Sequence, residues 1–354
     1  PRFPRRPMNP RIFLVTVSLG LSLLIGLIVS RRNLPAGKET PTAGGKIRIG
    51  LSLDTLKEER WQRDRDRFVE EATKLGAEVL TQSANSDDAT QMRDVESLIS
   101  SRVDVMVIVP HNGEAMAKGV RASKAAGIPV ISYDRLIRDS DVDLYISFDN
   151  IRVGELQAQY LVDQLRGRKA RLVRIYGSKT DNNAVLFKAG QDRVLQPLID
   201  RGDLEVVFED WALDWKPENA KKIVNAAITA KGRNLDAILA SNDGTAGGAI
   251  QALTEEGLAG KILVTGQDAE LAAVQRIHRG TQAMTIYKPV SRLAARAAAT
   301  AVAMARHQVI IANGAVNNGF KDVPSILEEV IVVNRTNILE TVVRDGFHRA
   351  EDLK

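Results

Sequence analysis

Cysteine is absent from this sequence of 354 residues, and histidine occurs only four times. The absence of cysteine excludes a disulfide framework, a thiolate metal site and a cysteine nucleophile. The four histidines are scattered, and no pair has the H-x-x-x-H spacing of a zinc-binding helix. We therefore expect neither a metal site nor a cofactor.

Sequence motifs of common enzyme classes are also missing. No G-x-S-x-G segment occurs. Residues 244–248, G-T-A-G-G, are neither a G-x-G-x-x-G motif nor a P-loop, and we interpret them as the tightly packed start of a helix. Asp134, Asp181 and Asp268 could converge like the paired carboxylates of glycosidases. Each has an Arg, Asn or Gln neighbour, which favours a static hydrogen-bond network, so we expect a binding protein rather than an enzyme.

Basic residues outnumber acidic residues, but the excess lies at the amino end. The formal charge is +5, and residues 1–38 hold seven Arg or Lys side chains and no acid. The rest of the chain therefore carries a formal charge of −2. Because a nucleic-acid-binding protein needs a basic face on its folded body, we expect no nucleic-acid partner.

The amino end also contains the longest uncharged apolar run. Residues 12–29 carry no charge and have arginines on both sides. A run of about 18 residues is near the lower limit for a membrane-spanning helix and long for a signal-peptide core. Residues 1–30 are thus either a removed signal peptide or a membrane anchor through residues 12–29. Residues 31–45, rich in Pro, Gly, Thr and Ala, predict a flexible tether that leads to an exported domain.

From Lys46 onward, short apolar runs alternate with longer helical patterns. Residues 128–133 and 142–148 are examples of the apolar, β-branched runs. Such runs between helices predict a parallel sheet that is covered on both faces. The pattern restarts after Asn150, which predicts two α/β lobes with a crevice between them. Small-molecule sites are common at such interfaces.

Polar and aromatic residues collect where the predicted strands end, which is the ligand-binding edge of an open α/β sheet. They are Asp54, Glu59, Arg60, Trp61, Asp134, Arg135, Asp181, Asn182, Asn183, Trp211, Trp215, Asn242, Asp243, Gln267, Asp268 and Lys288. Each has a purely structural alternative: Asp181 and Asp243 suit helix N-caps, and Trp61 could pack on its own helix. Together they predict a polar pocket with aromatic walls. Such a pocket suits a neutral sugar, whose hydroxyls both donate and accept hydrogen bonds.

Several blocks of sequence resemble the ribose-type periplasmic binding proteins, and within them the D-xylose-binding branch that serves bacterial sugar ABC transporters. The blocks include L-K-E-E-R-W-Q-R-D-R-D at 56–66, Y-D-R at 133–135, D-L-Y-I-S-F-D-N at 143–150, A-S-N-D at 240–243, G-Q-D-A at 266–269 and N-N-G-F-K-D-V-P-S at 317–325. The resemblance runs from about Lys46 to the carboxyl end.

The resemblance implies a type I periplasmic-binding-protein fold: two Rossmann-like lobes with parallel sheets, joined by three crossovers and preceded here by the amino-terminal signal or anchor helix. The amino-terminal lobe would comprise residues 46–150 and 290–326, and the carboxyl-terminal lobe residues 151–289 and 327–354. The implied sugar ligands are Arg60, Trp61, Asp134, Arg135, Asn183, Trp215, Asn242, Asp268 and Lys288. Asp181 would support Asn183.

The resemblance also implies a function. A monomeric protein outside the cytoplasmic membrane, in the periplasm where there is one, would capture D-xylose by lobe closure and deliver it to an ABC transporter permease. An uncleaved anchor leaves a second interpretation open, a membrane-tethered xylose sensor that signals to a histidine kinase.

Overall fold

A computed structural model describes residues 45–165 and 167–353. The expected signal or anchor helix and nearly all of the expected tether lie outside these residues. No helix in the described ranges is long and apolar enough to span a bilayer.

The described chain alternates between strands and helices. The strands are β1 (Arg48–Leu53), β2 (Glu78–Ser83), β3 (Val105–Ile108), β4 (Val130–Tyr133), β5 (Leu144–Phe148), β6 (Ala170–Tyr176), β7 (Leu204–Trp211), β8 (Ala237–Ala240), β9 (Leu263–Val264), β10 (Met284–Tyr287), β11 (Gly314–Asn317), β12 (Asp322–Glu328) and β13 (Ile331–Asn334). The longer helices are α1 (Glu59–Lys74), α2 (Asp88–Ser100), α3 (Ala117–Ala125), α4 (Asn150–Leu165), α5 (Asn182–Asp200), α6 (Pro217–Lys231), α7 (Asp243–Glu255), α8 (Leu271–Arg279) and α9 (Val290–Ala305).

Two largely parallel sheets dominate the architecture. One has seven strands in the order β11-β12-β5-β4-β3-β1-β2, and the other has four in the order β7-β6-β8-β9. All neighbouring strands in them are parallel except β11 and β12. A separate antiparallel pair joins β10 to β13. The chain leaves the seven-stranded sheet after β5, returns to it after β10, and leaves it again after β12.

Helices cover the sheets because the strands are apolar on both faces. Every residue of β3, β4 and β5 is buried. On one face, α1 and α9 pack together over the strands, with Phe68 and Leu293 in the shared core. In the other half, α4 and α5 approach so closely that a Cβ atom at Gly154 would lie 2.0 Å from the Phe187 carbonyl oxygen. The parallel sheet expected from the apolar runs is therefore present.

The sequence around Pro324 is polar and predicts a loop, and the structure shows that this prediction is wrong. Pro324 lies inside β12, which pairs with β5 on one side and with the edge strand β11 on the other. Buried Val323 and Ser325 alternate with exposed Asp322 and Pro324, as in a β-strand with one buried face. The alternation is hard to see in the sequence because polar residues occur on both faces of the strand.

The interpretation of residues 244–248 as a packed helix start is confirmed. They lie in the first turns of α7, and a Cβ atom at Gly248 would meet the Pro217 carbonyl oxygen at 1.9 Å. The glycine thus allows α7 to contact α6.

Candidate functional site

A cavity lies between the loops that follow the strands of the two main sheets, with about 370 Å³ of empty space when its opening to solvent is included. All nine predicted site residues line it: Arg60, Trp61, Asp134, Arg135, Asn183, Trp215, Asn242, Asp268 and Lys288. The cavity is also lined by Glu58, Asp181, Phe187 and Gln267.

Asp134 lies at the end of β4, where the backbone turns sharply. Its φ angle is +59°, in the left-handed region. Its carbonyl oxygen accepts hydrogen bonds from the hydroxyls of Tyr145 and Ser147, at 3.0 and 2.6 Å, and from Nδ2 of Asn183 at 3.1 Å. These three donors stabilise the strained turn that directs the Asp134 carboxylate toward the cavity.

The carboxylate of Asp134 accepts a hydrogen bond from Nη2 of Arg60 at 2.7 Å. Burial alone would raise the pKa of Asp134, but the nearby charges of Arg60 and Lys288 outweigh it and lower the pKa. Asp134 is therefore an ionised acceptor at neutral pH.

Arg60 connects the two halves of the cavity. Arg60 lies in the first turn of α1. Its Nη1 donates a hydrogen bond at 3.4 Å to Oδ1 of Asp268, which lies in the opposite half of the cavity. Asp268 also pairs with Nζ of Lys288 at 2.9 Å. The Arg60 guanidinium lies 4.1 Å from the centre of the Trp61 ring, a cation–π distance. The cations of this cluster thus each have a carboxylate partner.

Arg135 forms a second connection across the cavity. Its Nη1 donates to Oδ2 of Asp54 at 2.7 Å, and its Nε lies 2.9 Å from Oδ2 of Asp181 in the opposite half. Burial would raise the pKa of Asp54, but Arg135 and His111 lower it to about 2. Arg135 is thereby fixed between two carboxylates.

Trp215 provides an aromatic wall that three neighbours position. Its Nε1 donates a hydrogen bond to Oδ2 of Asp181 at 3.1 Å. The Phe187 ring packs edge-on against the Trp215 ring, with ring centres 6.3 Å apart. Beneath the indole lies Gly177, where a Cβ atom would be only 2.0 Å from the ring. The absence of a side chain at position 177 lets the indole lie on the backbone.

Two asparagines contribute amide groups from helix starts. Nδ2 of Asn183 reaches Oδ1 of Asp134 at 3.2 Å, while its Oδ1 accepts from Asn150 at 2.9 Å. Asn242 caps α7, with Oδ1 accepting the backbone N–H of Thr245 at 2.8 Å. Both side chains are buried and largely fixed by the protein.

The structural alternatives for two aspartates have different outcomes. Asp181 is the N-cap of α5, which confirms the structural alternative, and it also lines the cavity. Asp243 is not an N-cap, because Asn242 takes that position. The Asp243 carboxylate instead accepts from Gln282 at 2.8 Å and Thr285 at 2.9 Å.

Four lining residues are not among the nine predicted site residues. Gln267 and Asp181 were among the strand-end residues, whereas Glu58 and Phe187 were not. Phe187 lies one helical turn after Asn183, and that i, i+4 spacing could have indicated it. Oε2 of Glu58 and Oε1 of Gln267 have no hydrogen-bond partner within the described part of the chain.

Trp211 does not line the cavity, although it is also a strand-end tryptophan. It packs against Tyr176 with ring centres 4.8 Å apart, on the β6–β7 pair. Strand-end position alone does not distinguish it from Trp215; the difference is the turn at Asp214 and Trp215, where both φ angles are positive.

The lining charges nearly balance. Arg60, Arg135 and Lys288 face Asp134, Asp181 and Asp268, with Glu58 in addition. Burial raises the pKa of Glu58, which favours its neutral form. Within the described ranges, no group of His, Cys, Asp or Glu side chains is arranged to hold a metal ion. The cavity is therefore suited to an uncharged ligand with several hydroxyls.

Comparison with known proteins agrees with this geometry. A family model described as a periplasmic binding protein domain matches residues 49–308. The D-xylose-binding periplasmic protein of Escherichia coli is 50% identical over 308 residues, covering 87% of this chain and 93% of that protein. Its namesake in Haemophilus influenzae is 49% identical over 307 residues, covering 87% and 92%.

Solved structures give the same result. A carbohydrate transporter solute binding protein from Chloroflexus aurantiacus, in complex with D-glucose, matches with a TM-score of 0.81 and 38% identity, covering 86% of this chain and 97% of that one. The resemblance found in the sequence and the type I periplasmic-binding-protein fold are thus confirmed. The chain belongs to the periplasmic binding protein family.

Proposed function

We propose that this protein captures D-xylose outside the cytoplasmic membrane and delivers it to an ABC sugar transporter. The observation that carries the proposal is the single cavity in which all nine predicted ligands meet. The relatives at 50% and 49% identity are D-xylose-binding periplasmic proteins, which supports both the sugar and the location.

The chemistry of the cavity supports a neutral sugar. Carboxylates accept hydrogen bonds from sugar hydroxyls, guanidinium and amide groups donate to them, and nearly balanced charges leave no demand for a charged ligand. Trp215 offers an aromatic face for the apolar side of the ring. We assign the nine predicted residues to direct sugar contact, with Trp61 as the second wall.

The mechanism is closure of two lobes on the sugar. We assign residues 46–150 and 290–326 to one lobe and residues 151–289 and 327–354 to the other, in accord with the two main sheets. The polar contacts that then cross the cleft include those of Arg60 with Asp268, Arg135 with Asp181, and Asn183 with Asp134. A sugar that binds both lobes favours the closed arrangement over the open one.

The partner is the transporter permease, and the protein is a solute-binding protein rather than an enzyme, like its relatives. The alternative of a membrane-tethered sensor is not favoured, because those relatives are periplasmic binding proteins. Whether an amino-terminal anchor is retained concerns residues outside the described ranges.

Isothermal titration calorimetry with a panel of pentoses and hexoses tests the proposal. We expect one saturable site for D-xylose with a dissociation constant near the micromolar range, or about −8 kcal/mol. Saturable heat with another sugar and none with D-xylose would refute the choice of ligand. If no sugar of the panel gave saturable heat, the proposed binding site itself would be refuted.

A further inference from the structure

Asp64 lies directly behind the cavity without lining it. It follows Arg60 by one turn of α1, and its side chain is only 1% exposed. Oδ2 accepts from Nε and Nη2 of Arg60 at 3.3 and 3.2 Å. Oδ1 accepts from the hydroxyl of Tyr133. Asp64 lies in the resembling block at 56–66, but it is not among the predicted site residues.

These contacts join two elements of the site. Tyr133 is the last residue of β4, immediately before Asp134. Asp64 therefore connects the helix that carries Arg60 to the strand that carries Asp134. The carboxylate of Asp64 thus supports both Arg60 and Asp134, whose side chains meet in the cavity at 2.7 Å.

Arg60 needs such a support because its own side chain is flexible. A guanidinium presents its N–H groups in a rigid planar fork, but the stem has considerable rotamer freedom. Asp64 engages Nε and Nη2, which fixes the plane of the fork and leaves Nη1 directed at Asp268 in the opposite lobe. Without this anchor, the Asp134 and Asp268 carboxylates alone would determine where the guanidinium lies.

We propose that Asp64 is a positioning residue for sugar binding: it holds the Arg60 guanidinium where Arg60 meets both the sugar and Asp134. This inference rests on the proposed function, because Arg60 is assigned to the sugar there. Asp64 itself has no contact with the ligand, since it does not line the cavity.

The pH dependence of binding provides a readout that a packing role would not change. Burial raises the pKa of Asp64 to about 6, against the opposing effects of Arg60 and the Tyr133 hydroxyl, with Asp134 raising it further. Protonation removes the charge that anchors Arg60. Sugar affinity should therefore fall as the pH falls through about 6, and the fall should be smaller in D64N than in the wild type.

The principal experiment is calorimetry with D-xylose on D64N, with D66N as the matched control. Asp66 lies on the same helix, but it is 67% exposed, and its ion-pair partner within the described ranges is Arg65. We expect at least about 30-fold weaker binding in D64N, which is the lower end of the cost of breaking a buried charged pair converted to an affinity, and a change of less than about twofold in D66N. If D64N does not fold, Y133F removes the support of Oδ1 and should weaken binding several-fold.

A double-mutant cycle with R60M separates positioning from a general loss of structure. If Asp64 acts through Arg60, adding D64N or Y133F to R60M causes no further loss of affinity. Additive losses would overturn the inference. If the wild type binds D-xylose and D64N binds it with the same affinity, the inference about Asp64 is overturned while the proposed function stands. If the wild type instead binds another sugar, the proposed ligand fails and the same cycle is run with that sugar.

Discussion

Replacing Gly177 with alanine should weaken sugar binding without touching the sugar. The φ angle of Gly177 is not positive, so alanine adds no backbone strain there. The added Cβ, however, would lie 2.0, 2.1 and 2.4 Å from three atoms of the Trp215 indole. Carbon atoms in contact are normally about 3.5–4.0 Å apart, so the ring must move by roughly 1.5 Å.

Movement of the indole should cost the contact between the aromatic wall and the sugar ring. Stacking of a ligand ring on an aromatic side chain is worth about 1–3 kcal/mol, by analogy with nucleic-acid bases. The corresponding loss of affinity is about 5- to 150-fold. Calorimetry gives the affinity, and Trp fluorescence reports the displaced indole.

A matched control is G314A in the edge strand β11, where the nearest atom to an added Cβ is 4.0 Å away. We expect G314A to bind as the wild type does. If G177A bound D-xylose within about twofold of the wild type, the indole would not be the wall that we describe.

Three further predictions follow from individual contacts. D134N should weaken D-xylose binding at least about 30-fold in calorimetry, because a buried charged pair with Arg60 loses one partner, typically at 2–5 kcal/mol; an affinity within fivefold of the wild type would contradict this. W211A should leave the affinity unchanged but lower the free energy of unfolding in urea by about 1–3 kcal/mol, since Trp211 packs on Tyr176 outside the cavity; weaker sugar binding would contradict it. Burial raises the pKa of Asp243 to about 7, above its unfolded value of 3.8, so the native state holds a proton that the unfolded chain releases. The free energy of unfolding should therefore fall by up to about 3 kcal/mol as the pH rises from 5 to 8. Urea titrations at the two pH values should show a smaller fall in D243N than in the wild type. Equal falls in both proteins would refute the assignment.

The sequence predicted the sheets and the cavity because their signals are local. Continuous apolar runs such as residues 128–133 identify buried parallel strands. Parallel strands place their carboxyl ends at one edge of a sheet, so Asp54 and Asp134, which follow β1 and β4, could be expected at the same edge from their positions alone.

The rest depends on contacts between residues far apart in sequence. Trp211 and Trp215 look alike as strand-end residues, but only the left-handed turn at Asp214 brings Trp215 to the cavity. Strand β12 was missed because its pairing with β5 is set by residues some 180 positions earlier in the chain. The roles of Asp64 and Gly177 emerge only from distances to atoms on other elements.

Calorimetric titration of the wild-type protein with D-xylose beside D-ribose, L-arabinose and D-glucose tests whether the cavity is a D-xylose site. We expect a single saturable site for D-xylose, with nearly equal numbers of sugar and protein molecules at saturation. No saturable heat with D-xylose, at concentrations where one of the other sugars saturates the protein, would contradict it.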